Sequence, residues 1–382
     1  MRNRLNLSDS IRHITVQVYY QFGNALLKVL AWLLFQERTD VGKILIFRTG
    51  SIGDNICAIP SITSIRKYFS KSEIHILTTA GTQSPISMAR LLSTKYYDKL
   101  IDYEGFGKRA LYSLVRKNNY DLVIELPQNM AGLGTLIRNM VFFRLAGIRA
   151  GWGWELATVL WFRRTQERLI SFPSERDRLL NILSKNGVCI DGSNVFPLNI
   201  MPEDVEVVSE LMQSKGLSSE NWKSLIALVP GAKRPQNRYP LERYMDLAKW
   251  LVEKGYGIVV IGGKDDVERG CQLEAIQGVY SFAGELSPIQ SSVLLSRCRI
   301  AVSNDTGPMH LSYAVGTPVL AIFSSRDFPN KWFPPQGNQI LRNNKIQCSL
   351  CLSETCGDNI CMKGISLDEV KSAFEKLEKQ TA

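Results

Sequence analysis

The chain has 382 residues, and its 46 Lys and Arg against 36 Asp and Glu give a formal net charge of +10. Hydrophobic residues make up 45% and charged residues 21%, which excludes disordered, collagen-like and low-complexity proteins and favours two folded domains. The positive charge favours anionic partners. Because no Lys/Arg run or zinc-finger pattern accompanies it, we expect no nucleic-acid binding.

Residues 1–40 predict a helical extension. The segment 15–35 is long enough to span a bilayer, but four polar residues recur on one helical face, namely Gln17, Gln21, Asn24 and Lys28. This amphipathic helix could dock on the protein's own body, lie on a membrane surface or cross the membrane. No secretory signal is apparent, so we expect a cytoplasmic protein, with peripheral contact to the inner face of the cytoplasmic membrane through 15–35 as one option.

The next part of the chain, residues 41–200, predicts an N-terminal α/β domain. Short apolar runs read as buried strands, and helical stretches lie between them, including 107–118 and 133–146. The predicted strands are 43–50, 73–79, 99–104 and 121–127. Strands that alternate with helices indicate a parallel, doubly wound sheet of the Rossmann-like kind.

A second alternating set predicts a C-terminal domain over 201–345. Its strands are expected at 224–231, 257–263, 279–285, 299–305 and 318–323. Residues 346–382 then form a Cys-rich segment and a closing helix, with Ser366 and Glu369 in a capping box. Because ligands of such sheets bind at the carboxyl ends of the strands, we expect the two domains to face a central cleft.

The turn after the first strand, Arg48–Asp54, carries candidate chemistry. Gly50 and Gly53 permit a tight backbone, and the N–H groups that open the next helix can hold an anion. Asp54 lies in the first turn of that helix. It is either a carboxylate that stabilises the helix dipole or a general base that points into the cleft.

Two further turns follow strand ends in the second domain. The stretch 229–240 is basic, which suits a phosphate or a solvated loop. In the turn 302–310, a helix start with free N–H groups could bind a diphosphate. His310 lies four residues after Thr306, so both share one helical face; the alternative for His310 is a hydrogen-bonded core histidine.

Together these segments resemble glycosyltransferase family 9, the ADP-heptose:lipopolysaccharide heptosyltransferases. The resemblance rests on ILIFRTGSIGDNICAIPSI, LVPGAKRPQNRYPLERY, VVIGGKDD and VSNDTGPMHLSYAVGTPVLAIF, and it covers about 43–323. It implies a GT-B fold, with an N-terminal acceptor domain and a C-terminal nucleotide-sugar donor domain. It also implies an inverting transfer with no catalytic metal.

The resemblance further implies roles for individual residues. Asp54 would be the general base, and the acceptor or phosphate side would include Arg48, Ser51 and Gly53. The sugar, diphosphate and nucleoside of the donor would be bound by Gly231, Ala232, Lys233, Arg238, Asp265 or Asp266, Leu286, Asp305, Thr306, Gly307 and His310. Family members commonly carry Lys where this chain has Asn237, so Lys233, Arg234 or Arg238 would have to replace that cation.

Four cysteines crowd into the C-terminal segment, namely Cys348, Cys351, Cys356 and Cys361. Their spacing is that of a zinc knuckle with Cys in place of the usual His, so a structural zinc or iron ion is predicted. Reduced packing thiols and disulfides are the alternatives, and the cluster is expected to lie away from the chemistry.

We therefore expect an inverting transfer of heptose from ADP-heptose to a lipopolysaccharide-core or related anionic glycan or glycolipid. Five arginines could help an anionic acceptor approach, or could simply be solvated on helix surfaces; they are Arg163, Arg164, Arg168, Arg176 and Arg178. Three alternatives stay open. The chain could transfer another nucleotide-activated sugar to a glycan or a protein, bind sugar nucleotides without catalysis, or act as a membrane-surface scaffold.

Overall fold

The computed structural model describes residues 7–37, 40–79, 88–157, 173–190, 195–217 and 224–381, with side chains from residue 18 onward. Arg163, Arg164 and Arg168 lie outside these residues. The chain divides into two compact units. The first comprises Met1–Ala89 and Thr94–Val195, and the second comprises Arg90–Ser93 and Phe196–Ala382.

The first unit contains a parallel sheet of five strands. They are β1 (Lys43–Phe47), β2 (Glu73–Thr78), β3 (Lys99–Asp102), β4 (Leu122–Glu125) and β5 (Ala150–Trp152), in the order β3-β2-β1-β4-β5. The first six helices of the chain are α1 (Leu7–Leu34), α2 (Ile52–Tyr68), α3 (Met88–Leu91), α4 (Lys108–Lys117), α5 (Leu133–Leu145) and α6 (Glu175–Lys185).

The second unit contains a parallel sheet of six strands. They are β6 (Leu225–Val229), β7 (Gly257–Val260), β8 (Val279–Ser281), β9 (Ile300–Asn304), β10 (Val319–Phe323) and β11 (Gln339–Arg342), in the order β11-β10-β9-β6-β7-β8. The remaining helices are α7 (Pro202–Ser214), α8 (Leu241–Glu253), α9 (Val267–Glu274), α10 (Pro288–Ser296), α11 (Gly307–Ala314), α12 (Ile360–Lys363) and α13 (Leu367–Thr381).

The predicted α/β architecture with two parallel sheets is confirmed, because all nine expected strands are present. The central strands are buried on both faces and are accordingly rich in Ile, Leu and Val. Two strands were not predicted. β5 contains only Ala, Gly and Trp, and β11 is half-buried throughout with polar residues at both ends, so neither shows the apolar run of a central strand.

Each sheet has one point at which the strand order reverses. In the first unit β1 lies between β2 and β4, with Leu45 paired to both His75 and Val123. In the second unit β6 lies between β7 and β9, with Ala227 paired to Val259 and Ala301. Loops that leave adjacent strands in opposite directions open a crevice at such a switch point. The predicted site loops leave β1, β6 and β9, so they begin at these two positions.

The N-terminal helix is confirmed, and one face of it docks on the first unit. Leu27 is fully buried in the core of that unit, and Leu30 and Leu34 pack against the same cluster. Asn24, one of the four polar residues on the predicted helical face, is half-buried against the first unit. Its Oδ1 accepts a hydrogen bond of 3.0 Å from the N–H of Leu156, because that distant backbone donor lies under the helix. Within the described residues, no helix is both long and apolar enough to cross a membrane.

Candidate functional site

Arg48 follows β1 and lies completely beneath the predicted acceptor-side turn. Its side chain has no solvent exposure, and its Nη1 donates to the carbonyls of Leu126 and Pro127 at 3.0 and 3.1 Å. Its Nη2 donates to the carbonyl of Asp54 at 2.6 Å. Arg48 thus links the ends of β1 and β4 across the switch point. It holds the turn by a hydrogen bond to the Asp54 backbone and is itself buried beneath that turn.

Asp54 is held in the first turn of α2 by Ser51. The backbone N–H and the hydroxyl of Ser51 donate to Asp54 Oδ2 at 2.9 and 2.7 Å. The other carboxylate oxygen, Oδ1, lies 3.7 Å from Arg48 Nη2, and the side chain is 18% exposed. Gly50 permits this approach, because a Cβ there would lie 2.6 Å from that of Asp54 and φ is +144°. The buried Gly53 follows in the same helical turn.

Glu175, at the start of α6, is the third charged residue beside Arg48 and Asp54. It was not identified from the sequence. It is 2% exposed, and its Oε1 lies 3.5 Å from Arg48 Nη2. Its two oxygens also accept from Nε and Nη2 of Arg178, both at 2.8 Å. Arg178 in turn donates to the carbonyl of Pro127. Arg178 is therefore a largely buried ion-pair partner of Glu175. The i,i+3 spacing of the two residues was the one feature of the sequence that could have predicted this pair.

A second buried carboxyl, Glu125, ends β4. Its Oε1 accepts a hydrogen bond of 2.8 Å from Asn139, and its Oε2 has no hydrogen-bond partner among the described residues. Burial raises the pKa of Glu125 to about 8. Gly153 lies directly beside this strand end, because a Cβ there would fall 1.9 Å from the Glu125 carbonyl oxygen.

In the second unit, Asn304 joins the two switch-point strands as Arg48 does in the first. This fully buried residue ends β9 and donates to the carbonyls of Pro230 and Gly231 at 2.9 and 3.3 Å. Its Oδ1 accepts from the N–H of Tyr239 at 3.1 Å. Both ends of the basic loop after β6 are thereby fixed to β9. Sequence reasoning had not singled out Asn304.

The loop after β6 lies against Asp266. A Cβ on Gly231 would lie 2.2 Å from the Asp266 carboxylate, so only glycine permits this contact. Asp265 is exposed, and its carbonyl accepts from Arg269. Of the two candidate acids, Asp266 therefore contacts the loop. Arg238 Nε donates to the carbonyl of the buried Ala232 at 2.8 Å, which holds the loop closed.

Asn237, where the resemblance led us to expect Lys, belongs to a hydrogen-bonded chain. Its Nδ2 donates to Asp305 Oδ2 at 3.0 Å, and its Oδ1 accepts from Ser324 Oγ at 2.7 Å. Burial and the nearby Asp327 carboxylate raise the pKa of Asp305 to about 7, against the opposing effect of Lys331, Arg234 and Arg326. The buried ammonium of Lys331 lies 3.0 Å from Asp327 Oδ2.

The start of α11 is formed by Thr306 and Gly307. Thr306 is the N-cap but makes no side-chain capping bond, so the first N–H groups point outward from the helix. His310 is 4% exposed, and its Nδ1 lies 2.8 Å from Tyr313 Oη. Its ring also packs against Trp332 with centroids 6.0 Å apart. His310 is therefore a buried, hydrogen-bonded histidine beneath this helix start.

The two remaining donor-side candidates, Lys233 and Leu286, lie in the loops that follow β6 and β8. Lys233 is exposed beside Gly231 and Ala232. Leu286 is half-buried between β8 and α10.

The Cys-rich segment lies against the loops that follow β6 and β10, so it is nearer to a candidate site loop than we expected. The N–H groups of Leu350 and Leu352 donate to the carbonyls of Ser325 and Arg326 at 2.7 and 2.9 Å. Glu354 also pairs with Nε of Arg234 at 3.0 Å and with Nη2 of Arg326 at 2.9 Å. The segment lies here because the chain returns past the carboxyl end of β10. The spacing of the cysteines does not predict this path of the chain.

The four thiols are near one another but are not arranged around a common point. Burial and the nearby thiols of Cys351, Cys361 and Cys356 raise the pKa of Cys348. Cys356 Sγ accepts a hydrogen bond of 3.3 Å from the N–H of Asn359. Within the described part of the chain, however, no three or more His, Cys, Asp or Glu side chains are placed to hold a metal ion. The donor chemistry suits zinc or iron, whereas the observed positions do not form the site.

Comparison with known sequences identifies the family. A sequence profile described as glycosyltransferase family 9 (heptosyltransferase) matches residues 108–360. Lipopolysaccharide heptosyltransferase 2 of Salmonella typhimurium is 27% identical over 231 residues, which are 58% of this chain and 65% of that protein, just under two thirds of its length. Lipooligosaccharide heptosyltransferase 2 of Haemophilus ducreyi is 26% identical over 289 residues, 72% of this chain and 81% of that one.

Solved structures show the same fold. Escherichia coli ADP-heptose lipopolysaccharide heptosyltransferase II superposes with a TM-score of 0.62 at 22% identity, over 88% of this chain and 99% of that one. The iron-containing dodecameric glycosyltransferase TibC of enterotoxigenic E. coli gives 0.56 at 11% identity, over 91% and 79%. The two parallel α/β sheets thus form a GT-B-like fold. Since the family profile also covers most of the sequence, the chain belongs to glycosyltransferase family 9.

Proposed function

We propose that the protein is an inverting glycosyltransferase that moves a heptose from ADP-heptose to a lipopolysaccharide-core or related anionic glycan. Membership of family 9 and the heptosyltransferases among its relatives support the reaction class. The observation that carries the proposal is the placement of Asp54. Ser51 fixes one carboxylate oxygen and leaves Oδ1, at the carboxyl end of the sheet, to accept a proton.

In the proposed step, Asp54 Oδ1 takes the proton of an acceptor hydroxyl as that oxygen bonds to the anomeric carbon of the sugar. The bond from this carbon to the diphosphate breaks on the opposite face, so the configuration inverts and ADP leaves with the electron pair. Arg48 holds Asp54 in place, because its Nη2 donates to the Asp54 carbonyl and lies 3.7 Å from Oδ1.

The second unit supplies the donor contacts in this proposal. The N–H groups at Thr306 and Gly307 bind the diphosphate, where a helix start stabilises the charge of the leaving group. Asp305 binds a sugar hydroxyl. Because Asn237 brings no charge, Lys331 and Arg234 supply the cations near Asp305 that the usual Lys would otherwise add.

The same assay tests three alternative functions. Transfer of another nucleotide-activated sugar is the first alternative, and binding of a sugar nucleotide without catalysis is the second. The second is favoured by Asn237, because its amide is already bonded to Asp305 and Ser324. A membrane scaffold without nucleotide binding is the third possibility from the sequence.

Release of ADP from ADP-heptose, with and without a heptose-deficient core acceptor, tests the proposal. Acceptor-dependent release is expected, with a glycosylated product detected by mass spectrometry. Activity with a different nucleotide sugar instead would replace the donor assignment. Binding of ADP-heptose without release in the presence of several core acceptors would overturn catalysis in favour of a binding protein, and no nucleotide binding would favour the scaffold.

We also propose that a structural zinc or iron ion draws the thiols of Cys348, Cys351, Cys356 and Cys361 together from the positions described above and is bound by them. The similar iron-containing TibC and the mutual proximity of the thiols support this. Elemental analysis of the purified chain should give about one metal ion per chain, lost in a Cys348→Ser/Cys351→Ser variant and kept in Cys189→Ser. Metal-free protein from a metal-supplemented culture would contradict the assignment.

A further inference from the structure

The outward face of α1 is apolar although the helix is already docked. Five of its large apolar side chains are more than half exposed, and Trp32 reaches 79%; they are Val18, Phe22, Val29, Trp32 and Leu33. The inward face is filled by buried Leu27 and by the hydrogen bond to Asn24. The core of the first unit therefore does not account for the outer side chains, and contiguous exposed apolar surface is typical of an interaction site.

Helices α1, α5 and α4 lie side by side on one face of the first sheet. One core cluster contains residues from all three, namely Leu27, Met140 and Val115. α1 packs on α5. Tyr112 of α4 stacks edge-on with Phe142 of α5 at 6.3 Å between ring centroids, and its hydroxyl donates to the Leu145 carbonyl. The outward sides of the three helices thus form one surface, here called the basic helical face.

The charge of this face has one sign. Residues 18–34, α4 and α5 contain seven cations and no Asp or Glu; the cations are Lys28, Lys108, Arg109, Arg116, Lys117, Arg138 and Arg144. Two more apolar side chains of α5, Val141 and Leu145, are 41% and 63% exposed. The carboxylate of Glu155, which acts on Tyr20 of α1, is already paired with Lys185 at 2.7 Å.

We propose that the basic helical face binds the surface of an anionic lipid membrane. Exposed Trp, Phe and Leu side chains enter the boundary between headgroups and acyl chains, while the surrounding Lys and Arg side chains pair with lipid phosphates. α1 lies in the plane of the interface and does not span it. A second copy of the chain fits less well, because a symmetric contact would place these cations against one another.

This binding does not depend on the sugar donor, so it is measured with lipid alone. The full-length chain is sedimented with vesicles containing phosphatidylglycerol and with vesicles of phosphatidylcholine only. We expect binding to the anionic vesicles that weakens as salt rises, with far weaker binding to the neutral ones. A Phe22→Ser/Trp32→Ser/Leu33→Ser variant should lose at least roughly tenfold in affinity.

Two matched variants separate this surface from general effects. Lys108→Ala/Arg109→Ala/Lys117→Ala should lose roughly tenfold or more on anionic vesicles, and Lys363→Ala/Lys376→Ala/Lys379→Ala on the other unit should not. Val205→Ser/Val207→Ser is the apolar control. Equal binding by native chain and both face variants would overturn the proposal. So would a native dimer that the apolar variant dissociates, because the face would then be an interface between copies.

Discussion

Arg48 shows how a single buried cation can organise half of a site. A guanidinium without solvent exposure is stable only when its donors and charge are matched. The carbonyls of Leu126 and Pro127 just after β4 and the carbonyl of Asp54 accept from Nη1 and Nη2, and the carboxylate of Glu175 balances the charge. The position of the proposed base is therefore determined by contacts beneath it, and Glu175 is a positioning residue that acts through Arg48.

Replacement of Glu175 by Gln tests this positioning role. The variant keeps the shape of the side chain but removes the charge that faces Arg48 and Arg178. We expect kcat to fall by roughly tenfold or more with little change in donor KM, because the guanidinium that holds Asp54 is then no longer fixed by the Glu175 carboxylate. Asp177→Asn, which removes an exposed charge on the same helix, should behave as native.

A loss of thermal stability in Glu175→Gln, with kcat and donor KM both unchanged, would reduce Glu175 to a structural residue.

A second prediction for single residues concerns Asn237 and the pH dependence of donor binding. In the native chain, donor binding should change with a midpoint near pH 7, where Asp305 releases its proton. Asn237→Lys places a cation beside Asp305, which favours the carboxylate, so the midpoint should fall by about one unit or more. The pH dependence of the donor KM measures this. Asn237→Ala is the control, because it removes the hydrogen bond without adding charge, and equal midpoints in all three proteins would refute the assignment to Asp305.

The last residue of strand β4, Glu125, is a buried carboxyl group whose protonation affects stability. The carboxyl has one hydrogen bond and an unpaired oxygen, so the folded state favours its protonated form. Since its pKa rises from 4.5 to about 8 on folding, its contribution to stability is complete below pH 4.5 and is lost as pH rises toward 8.

Unfolding measurements from pH 5 to 9 should detect this contribution. The free energy of unfolding of the native chain should fall relative to that of Glu125→Gln across this range, by roughly 1.4 kcal/mol for each unit of pKa shift. Glu104→Gln, at an exposed position, is the control. Parallel pH profiles of the native chain and Glu125→Gln would show that the carboxyl is ionised at neutral pH.

Elements of the sheets were predictable, whereas the contacts that position the site were not. Apolar runs ending in Gly or Pro marked the strands, and strand ends marked the site loops, because both are local patterns. Glu175 lies 127 residues after Arg48, and only the fold brings them together. The partner of Asn24 was not predictable for the same reason, since it is the backbone of Leu156, 132 residues away.

At the scale of the whole molecule, the net charge of +10 is distributed by function. In the first unit, α4 and α5 carry exposed cations without acids, which suits a flat anionic surface. In the second unit, cations near Asp305 are paired with Asp327 and Glu354, which suits a small anionic ligand in a defined position. The composition predicted an anionic partner, and these are the two regions where we propose that a membrane and a nucleotide sugar bind.

The role of Asp54 is tested most directly by Asp54→Asn in the ADP-release assay. An Asn oxygen can still accept from the N–H of Ser51, so the helix cap survives while the base is lost. Asp204→Asn is the matched control, since Asp204 caps α7 in the same way through the Met201 N–H at 3.1 Å. We predict that acceptor-dependent ADP release falls by roughly a hundredfold or more in Asp54→Asn with donor affinity retained, and that Asp204→Asn is unaffected. A kcat within about tenfold of the native value would contradict a base role for Asp54.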